Sequence, residues 1–241
     1  MTVGKTPTRS LILILFLFPV IFYSCSARID GVFREGGEAD LSIRASLEPR
    51  TLALIRSLQS FAGEASDAPI LDGMSISLSM AAVPGVRTVS IRNTSSSALE
   101  GSISISNVEY FFAEGDSNNR FISYKAGPGG SSMVITLDRN SAPELIARLS
   151  PEIGEYLSAL FAPVVLGDNI DRQEYLSLLA SIYGRPLADE IAAAGILVRI
   201  EFPRQIIAVQ GGNHTGRQAE FNIPVLDILV LESPLHYEVR W

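Results

Sequence analysis

The alternation of apolar and polar residues predicts strands at both ends of the chain. Between residues 40 and 47, apolar residues alternate with two serines and an arginine, which is the period of a half-buried strand. The glycine-bearing loop 34–38 then predicts a hairpin with the strand before it. The same pattern predicts further strands at 27–33, 86–92, 99–106, 121–125, 133–138, 196–202, 206–210, 219–223 and 236–241.

Helical spacing appears after Pro49 and again in the middle of the chain. Residues 52, 55, 58 and 61 are apolar, and Gly63 can end that helix. Capping residues predict helix starts at Ser141, Ser150, Asp171 and Pro186, so residues 141–194 should form a helical cluster. Residues 69–82 fit either a strand or a helix, and the Pro84–Gly85 stop that follows them favours the helix.

Runs of strands beside runs of helices predict an α+β fold with one or more antiparallel sheets. A single core would have to bury both ends, so we expect the first and last strands to share a sheet. No linker of useful length divides the chain. We therefore expect one domain over 25–241, with 141–194 as a helical subdomain.

The first 24 residues have the layout of a bacterial export signal. Lys5 and Arg9 precede an unbroken apolar run, which ends at Ser24 and Cys25. The run is shorter than the roughly 20 residues that a membrane-spanning helix needs. We expect residues 1–24 to be cleaved and the mature protein to lie in the cell envelope.

The segment Phe22-Tyr23-Ser24-Cys25 resembles the lipobox of bacterial lipoproteins. The resemblance implies lipidation of Cys25 with diacylglycerol and fatty acyl chains such as palmitate, and anchoring in the inner membrane, the outer membrane or at the cell surface. Cleavage after Ala27, which would release a soluble protein, and an uncleaved anchor remain alternatives. Cys25 is the only cysteine, so it has no partner for a disulfide within the chain.

Charge narrows the possible partners. The chain carries a formal net charge of −7, and removal of residues 1–24 takes away two positive charges, leaving −9. An acidic domain without a Lys/Arg cluster is not attracted to a nucleic-acid backbone, nor by its overall charge to an anionic bilayer. The mature part contains no second apolar run of spanning length. We therefore expect membrane attachment through the anchor at Cys25 and no nucleic-acid partner.

The loop 211–216 offers the clearest candidate for a ligand site. Gly211 and Gly212 could present backbone amides to an anion, with His214 as an acid or base. The loop lacks the Lys-Ser/Thr and the helix start of a P-loop. An ordinary hairpin loop with an exposed histidine is the simpler interpretation.

Metal and catalytic motifs are otherwise missing from the sequence. Two separated histidines and one cysteine do not give zinc spacing, and 167–171 lacks the last acidic ligand of an EF-hand. Asp168 and Asp171 fit helix caps. The pairs Glu35/Glu38 and Asp189/Glu190 fit solvated surfaces, and no serine elbow is present. We expect no catalytic residues, no metal and no cofactor, and hence a protein that is not an enzyme.

Two lipoprotein families share short motifs with this chain. Motifs within 150–160 and 202–241, among them Phe202-Pro203, Gly211-Gly212 and the strand that ends at Trp241, resemble uncharacterised bacterial lipoproteins of spirochaete type. The Cys-led chain with the same ending also resembles LppM-type lipoproteins. That resemblance implies an α+β domain associated with lipid or glycolipid binding.

Three hypotheses follow for function. The first is a non-enzymatic envelope lipoprotein that binds a lipid or another hydrophobic ligand. The second is a partner-binding or assembly module of the envelope that uses the helices of 141–194. The third is an envelope hydrolase that depends on His214 and nearby acidic residues.

Overall fold

The computed structural model describes residues 25–61, 69–113, 122–127, 129–142 and 168–241. For residues 25, 26, 61, 112 and 113 it describes the backbone alone. The predicted export signal and the predicted helices that start at Ser141 and Ser150 lie wholly or largely outside the described residues. No helix in the described ranges is both long enough and apolar enough to cross a bilayer.

The described residues form an α+β fold of eleven strands and six helices, as the sequence predicts. The strands are β1 (Cys25–Phe33), β2 (Ala39–Ser46), β3 (Val86–Ser95), β4 (Ala98–Ile105), β5 (Ile122–Gly127), β6 (Gly130–Leu137), β7 (Gly195–Glu201), β8 (Ala208–Gln210), β9 (Asn213–Thr215), β10 (Gln218–Pro224) and β11 (Leu235–Arg240). The helices are α1 (Pro49–Phe61), α2 (Gly73–Ala81), α3 (Val108–Ala113), α4 (Arg172–Tyr183), α5 (Arg185–Ala193) and α6 (Val225–Val230).

A seven-stranded sheet has the order β3-β4-β2-β1-β7-β10-β9. All of its neighbours are antiparallel except β1 and β7, which pair in parallel with Ile29 opposite Val198. The first described strand therefore lies near the centre of the sheet, and a strand from the last quarter of the sequence completes its hydrogen bonds.

A second sheet has the order β5-β6-β11-β8 and is antiparallel. The expectation that the first and last strands share a sheet is therefore wrong for β11, although β7 and β10 do join β1. The cause is α6, a short helix that the sequence analysis did not predict. The helix ends at Leu231 in the left-handed conformation (φ 45°) and redirects the chain from one sheet to the other.

Two main groups of buried side chains hold these layers together. The larger core draws on both sheets, with Phe202, Phe221 and Val239 fully enclosed. The second joins α4 and α5 to α6 and α1 through Tyr175, Leu187 and their neighbours. Burial of this apolar surface is the main favourable contribution to folding in both groups.

Side-chain capping explains where three of the helices begin. Asp72 accepts a hydrogen bond from the Met74 amide at the start of α2, which confirms the helical interpretation of this segment. Asp171 accepts from the Glu174 amide and starts α4, as predicted. The α1 helix is capped from a distance, because the Glu190 carboxylate on α5 accepts from the Thr51 amide at 2.7 Å.

Candidate functional site

A cleft of about 370 Å³ lies where the two sheets meet, at the end of β1 away from Cys25. The turn between β1 and β2, the start of α3, the edge strand β5 and the C-terminal residue surround it. Its lining residues are Arg34, Glu35, Gly36, Gly37, Asn107, Glu109, Tyr124, Ala126, Gly127, Ser131, Pro203, Arg204 and Trp241.

Tyr124 and Trp241 are the aromatic residues that line the cleft, and two buried phenylalanine rings pack behind them. The rings of Phe202 and Trp241 have centroids 4.2 Å apart, and Phe33 lies 5.4 Å from Phe202. Tyr124 meets Trp241 at 5.9 Å and is the more exposed of the two. The Trp241 backbone exchanges hydrogen bonds with Ser131 at 2.8 and 3.0 Å, so packing and hydrogen bonding both fix the indole.

The glycine turn between β1 and β2 forms one side of the cleft. Gly36 and Gly37 have φ values of 97° and 82°, a conformation that favours glycine. A Cβ atom at either position would meet nothing within 4 Å, so backbone conformation and not crowding explains these glycines. The Gly37 carbonyl accepts from the Val108 amide at 2.7 Å and ties the turn to α3.

Charges of both signs stand at the rim. Arg34 pairs with Asp40, and the Arg204 Nε atom lies 3.4 Å from the Glu35 carboxylate. These pairs are more than a third exposed, so water screens them and each contributes little to stability. Glu109 also lines the cleft and makes no ion pair within the described part of the chain. The rim can therefore interact with an anionic or a cationic group.

Tyr124 is the titratable group that the cleft perturbs. Burial raises the pKa of the phenol, the charge of Glu109 raises it further, and a hydrogen bond with Ser131 partly opposes both effects. The phenol therefore keeps its proton at neutral pH and can act as a hydrogen-bond donor or acceptor, not as a base.

The carboxylates singled out from the sequence separate into different roles. Glu35 faces Arg204 at the rim, whereas Glu38 pairs with Arg87 at 2.6 Å. Glu190 caps α1, and its neighbour Asp189 is exposed. None of these carboxylates shares a proton-transfer geometry with a histidine in the described structure.

Cys25 is the first residue of β1, and its backbone lies opposite Gly195 of β7. At about 3.3 Å per residue, the nine residues of β1 place it about 26 Å from the cleft end of the strand. The candidate anchor and the cleft therefore lie at opposite ends of the central strand.

In the segment 211–216, Gly211 and Gly212 carry the chain from β8 in one sheet to the short strand β9 in the other. A Cβ atom at Gly211 would lie 2.7 Å from a Tyr237 ring carbon, and one at Gly212 would lie 2.5 Å from the Glu220 carbonyl oxygen. Close packing therefore explains both glycines. His214 lies opposite Ala219 on the exposed edge strand β9, and none of the three candidate residues lines the cleft. Their role in ligand binding stays a prediction.

The remaining polar candidates have structural partners. The Asp168 carbonyl accepts from the Arg139 guanidinium at 2.7 Å. His236 lies 3.3 Å from the Thr136 hydroxyl on the second sheet. Within the described ranges, no group of three or more His, Cys, Asp or Glu side chains could hold a metal ion.

Sequence analysis missed the cleft because its residues come from separate parts of the chain. Arg34, Glu109, Tyr124, Arg204 and Trp241 share no motif, and pairing of the two sheets brings them together. The available signals were the Arg-Glu-Gly-Gly turn and the tryptophan at the end of the final strand.

No model of a known protein family matches this chain, and no curated protein matches its sequence. Among solved structures, the chain is similar to the NMR structure of the folded domain of the LppM protein of Mycobacterium tuberculosis. The two are 11% identical, the match covers 89% of this chain and 86% of the other, and the TM-score is 0.42. This similarity is too weak to transfer residues or a function, and none of the comparisons supports the resemblance to spirochaete lipoproteins.

Proposed function

We propose that the mature chain is a lipid-anchored, non-enzymatic domain of the cell envelope that binds part of an amphiphilic ligand in the cleft. The observation that carries the proposal is the combination, in one cleft, of an aromatic base with a rim of both charges. Aromatic side chains favour an apolar group, whereas the rim favours a charged one.

The size of the cleft limits how much of a ligand it can hold. A volume of about 370 Å³ is at the lower end of the range typical of small-molecule sites. A headgroup or a single ring fits such a space better than a complete membrane lipid does. The long part of an amphiphile would therefore stay outside the cleft.

The electrostatics of the cleft favour binding over acid–base catalysis. The Tyr124 phenol keeps its proton at neutral pH. A general base would need a pKa near the working pH. The cleft instead presents fixed donors and acceptors around an aromatic surface.

Substitution of Ala126 tests the ligand site, since this exposed residue lines the cleft from the edge strand β5. Ala126→Trp should fill the cleft without disturbing the core. Lys125→Trp is the matched control, because its side chain points to the other face of the same strand. The probes are dihexanoyl phospholipids with glycerol, ethanolamine or choline headgroups, added to the purified full chain.

We expect at least one phospholipid to raise the Tm of the wild type and of Lys125→Trp, but not that of Ala126→Trp. No rise with any of the three, or an equal rise in both variants, would contradict ligand binding in the cleft. Anchoring is tested separately by mass spectrometry of the mature N-terminus, in the wild type and in Cys25→Ala. An acylated Cys25 supports the anchor, and an unmodified chain that begins at Arg28 contradicts it.

Partner binding is a second candidate function, because an apolar groove of about 480 Å³ lies between α1 and α5. Leu54, Leu58, Tyr183 and Leu187 are among its lining residues. A photo-crosslinking amino acid at Ala53, inside the groove, should capture an envelope protein in cells, whereas the same group at the exposed Gln173 of α4, outside the groove, should not. Recovery of the monomer alone from both positions would argue against this function.

A further inference from the structure

The outer face of α2 exposes large apolar side chains. Met74 is 73% exposed and Leu78 is 69% exposed, and their spacing of four residues places them on one side of the helix. Ala82 and Pro84 extend this side beyond the helix, and both are exposed. Tyr110 of α3, 64% exposed, follows. These five residues are called the apolar ridge below.

Gly85 joins the part of the ridge on and just after α2 to the part on α3. A Cβ atom on Gly85 would lie 2.6 Å from the Asn107 carbonyl oxygen and 3.4 Å from the Tyr110 Cβ atom. The segment after α2 therefore packs tightly against the start of α3. The ridge is one surface and not two separate exposed positions.

The ridge is free of charge over its whole helical part. No Asp, Glu, Lys or Arg occurs from Gly73 to Gly85. The Ser75 hydroxyl donates to Asp72 at 2.7 Å, and the Ser77 hydroxyl is hydrogen-bonded to the Ile91 backbone. Removing this surface from water would therefore leave few polar groups without a partner.

Strand register places the start of α2 at the same end of the sheet as Cys25, and the ridge runs from there along the edge strand β3 to Tyr110 at the cleft end. Ala27 lies opposite Ala45, Ala45 opposite Leu99, and Leu99 opposite Asn93. The Asn93 side chain then accepts a hydrogen bond from the Gly73 amide at 2.9 Å. The strands β1 and β3 are therefore three strand spacings apart, or about 15 Å. Cys25 lies on the first of these strands, and the start of α2 is hydrogen-bonded to the second.

We infer that the apolar ridge is a second membrane contact, which lies in the interfacial region of the bilayer that holds the Cys25 anchor. This inference rests on the anchoring proposed above. In the sequence the apolar run leads straight to Cys25, where β1 begins, so no spacer separates the folded domain from the bilayer.

The chemistry of the ridge fits a lipid surface better than a protein partner. A stable protein interface buries about 800 Å² on each side and requires a complementary shape. The ridge has only three large side chains and presents no charge to set orientation. A bilayer needs neither property, and tyrosine is favoured at the level of the headgroups.

The test measures the depth of the Leu78 position in a bilayer. Leu78→Cys in the full chain, exported and purified, is labelled with an environment-sensitive dye. The wild type, treated with the same dye, must remain unlabelled, which shows that Cys25 is acylated or removed and that the new thiol is the one labelled. The protein is reconstituted into vesicles of phosphatidylethanolamine and phosphatidylglycerol with brominated acyl chains. Asn213→Cys, on the exposed strand β9 at the other edge of the sheet, is the control.

We expect the vesicles to quench the dye at position 78 at least twofold more than the dye at position 213. Addition of Met74→Ser should reduce that difference. Equal quenching in protein that floats with the vesicles would overturn the ridge contact and leave the anchor intact. A dye shift that depends on protein concentration and not on bromine would mean that a second copy covers the ridge. Protein that does not float at all would contradict both the anchor and the ridge contact.

Discussion

The hydroxyl group of Ser77 binds both backbone polar groups of Ile91. It donates to the Ile91 carbonyl at 3.2 Å and accepts from the Ile91 amide at 3.1 Å. Ile91 belongs to β3, the edge strand of the seven-stranded sheet, and these two groups face away from β4. An open edge of this kind invites pairing with a strand of another molecule. The side chain from α2 occupies that position and covers the edge.

Ser77→Ala should lower the free energy of unfolding by about 1–2 kcal/mol, because the Ile91 amide and carbonyl lose their partner. Urea unfolding followed by circular dichroism measures the change. Ser79→Ala is the matched control on the same helix, since its exposed hydroxyl makes no hydrogen bond with the described residues. If both variants lost the same free energy of unfolding, the cause would be helix propensity and not the hydrogen bonds between Ser77 and the edge strand.

Glu190→Ala should also lower the free energy of unfolding, by about 1–2 kcal/mol. The Glu190 carboxylate accepts from the Thr51 amide and the Thr51 hydroxyl, both at 2.7 Å, and so caps α1 from another helix. Asp189→Ala changes an exposed neighbour and should cost less than 0.5 kcal/mol, the usual limit for surface positions. Glu190→Gln keeps a hydrogen-bond acceptor, so its loss of stability should lie between those of Glu190→Ala and Asp189→Ala. Thermal denaturation of the three variants separates the cap from a general effect of charge.

Gly212→Ala should destabilise the protein by about 1–3 kcal/mol, because its new methyl group would lie 2.5 Å from the Glu220 carbonyl oxygen. His214→Ala, in the same loop, should leave the Tm within about 1 °C of the wild type, since the side chain is exposed. If His214→Ala removed a cellular function while the Tm stayed unchanged, the loop would have a chemical role beyond packing.

In the turn after β6, a carboxylate makes part of the free energy of unfolding depend on pH. Hydrogen bonds, chiefly from the Ser141 amide, lower the pKa of Asp138, and the Asn140 amide also donates to this carboxylate. A lowered pKa means that the stabilisation is present above the unfolded value, near 3.9, and is lost as the pH falls through the folded value.

Asp138→Asn should therefore cost about 1 kcal/mol at pH 7 and progressively less as the pH falls below about 4. Chemical denaturation between pH 7 and pH 3 measures this convergence with the wild type. For Asp189→Asn, at an exposed position, the free energy of unfolding should differ from that of the wild type by the same amount at every pH. A constant difference between Asp138→Asn and the wild type at every pH would contradict the role of the carboxylate charge.

Local signals in the sequence were sufficient for many elements of the fold. Alternation over 40–47 gave β2 to within one residue, and Asp171 and Gly184 marked the two ends of α4. These features depend on neighbours within one or two turns of the chain, so the pattern of residues contains them. The short helix α6 escaped because five apolar residues and Asp227 after a proline make too short a pattern to distinguish a helix from a strand.

Long-range relationships were beyond the sequence. The Glu190 carboxylate meets Thr51 across 139 positions, and nothing in either segment marks the other. The cleft likewise depends on the second sheet, whose strand β11 was assigned to the wrong neighbours. The loop 211–216 shows the reverse case, because its glycines suggested chemistry where the structure shows crowding by Tyr237 and Glu220.

The parallel pair of β1 and β7 sets a condition on how the chain can reach its native state. The central strand at residues 25–33 cannot satisfy both of its edges until residues 195–201 arrive. Contacts between segments so far apart in the sequence form late, and they lower the rate of folding. For a chain that is threaded unfolded through a membrane, amino end first, the completed sheet must wait until most of the polypeptide has crossed. In the proposed export of this chain, the pairing that stabilises the finished domain would therefore also delay its folding.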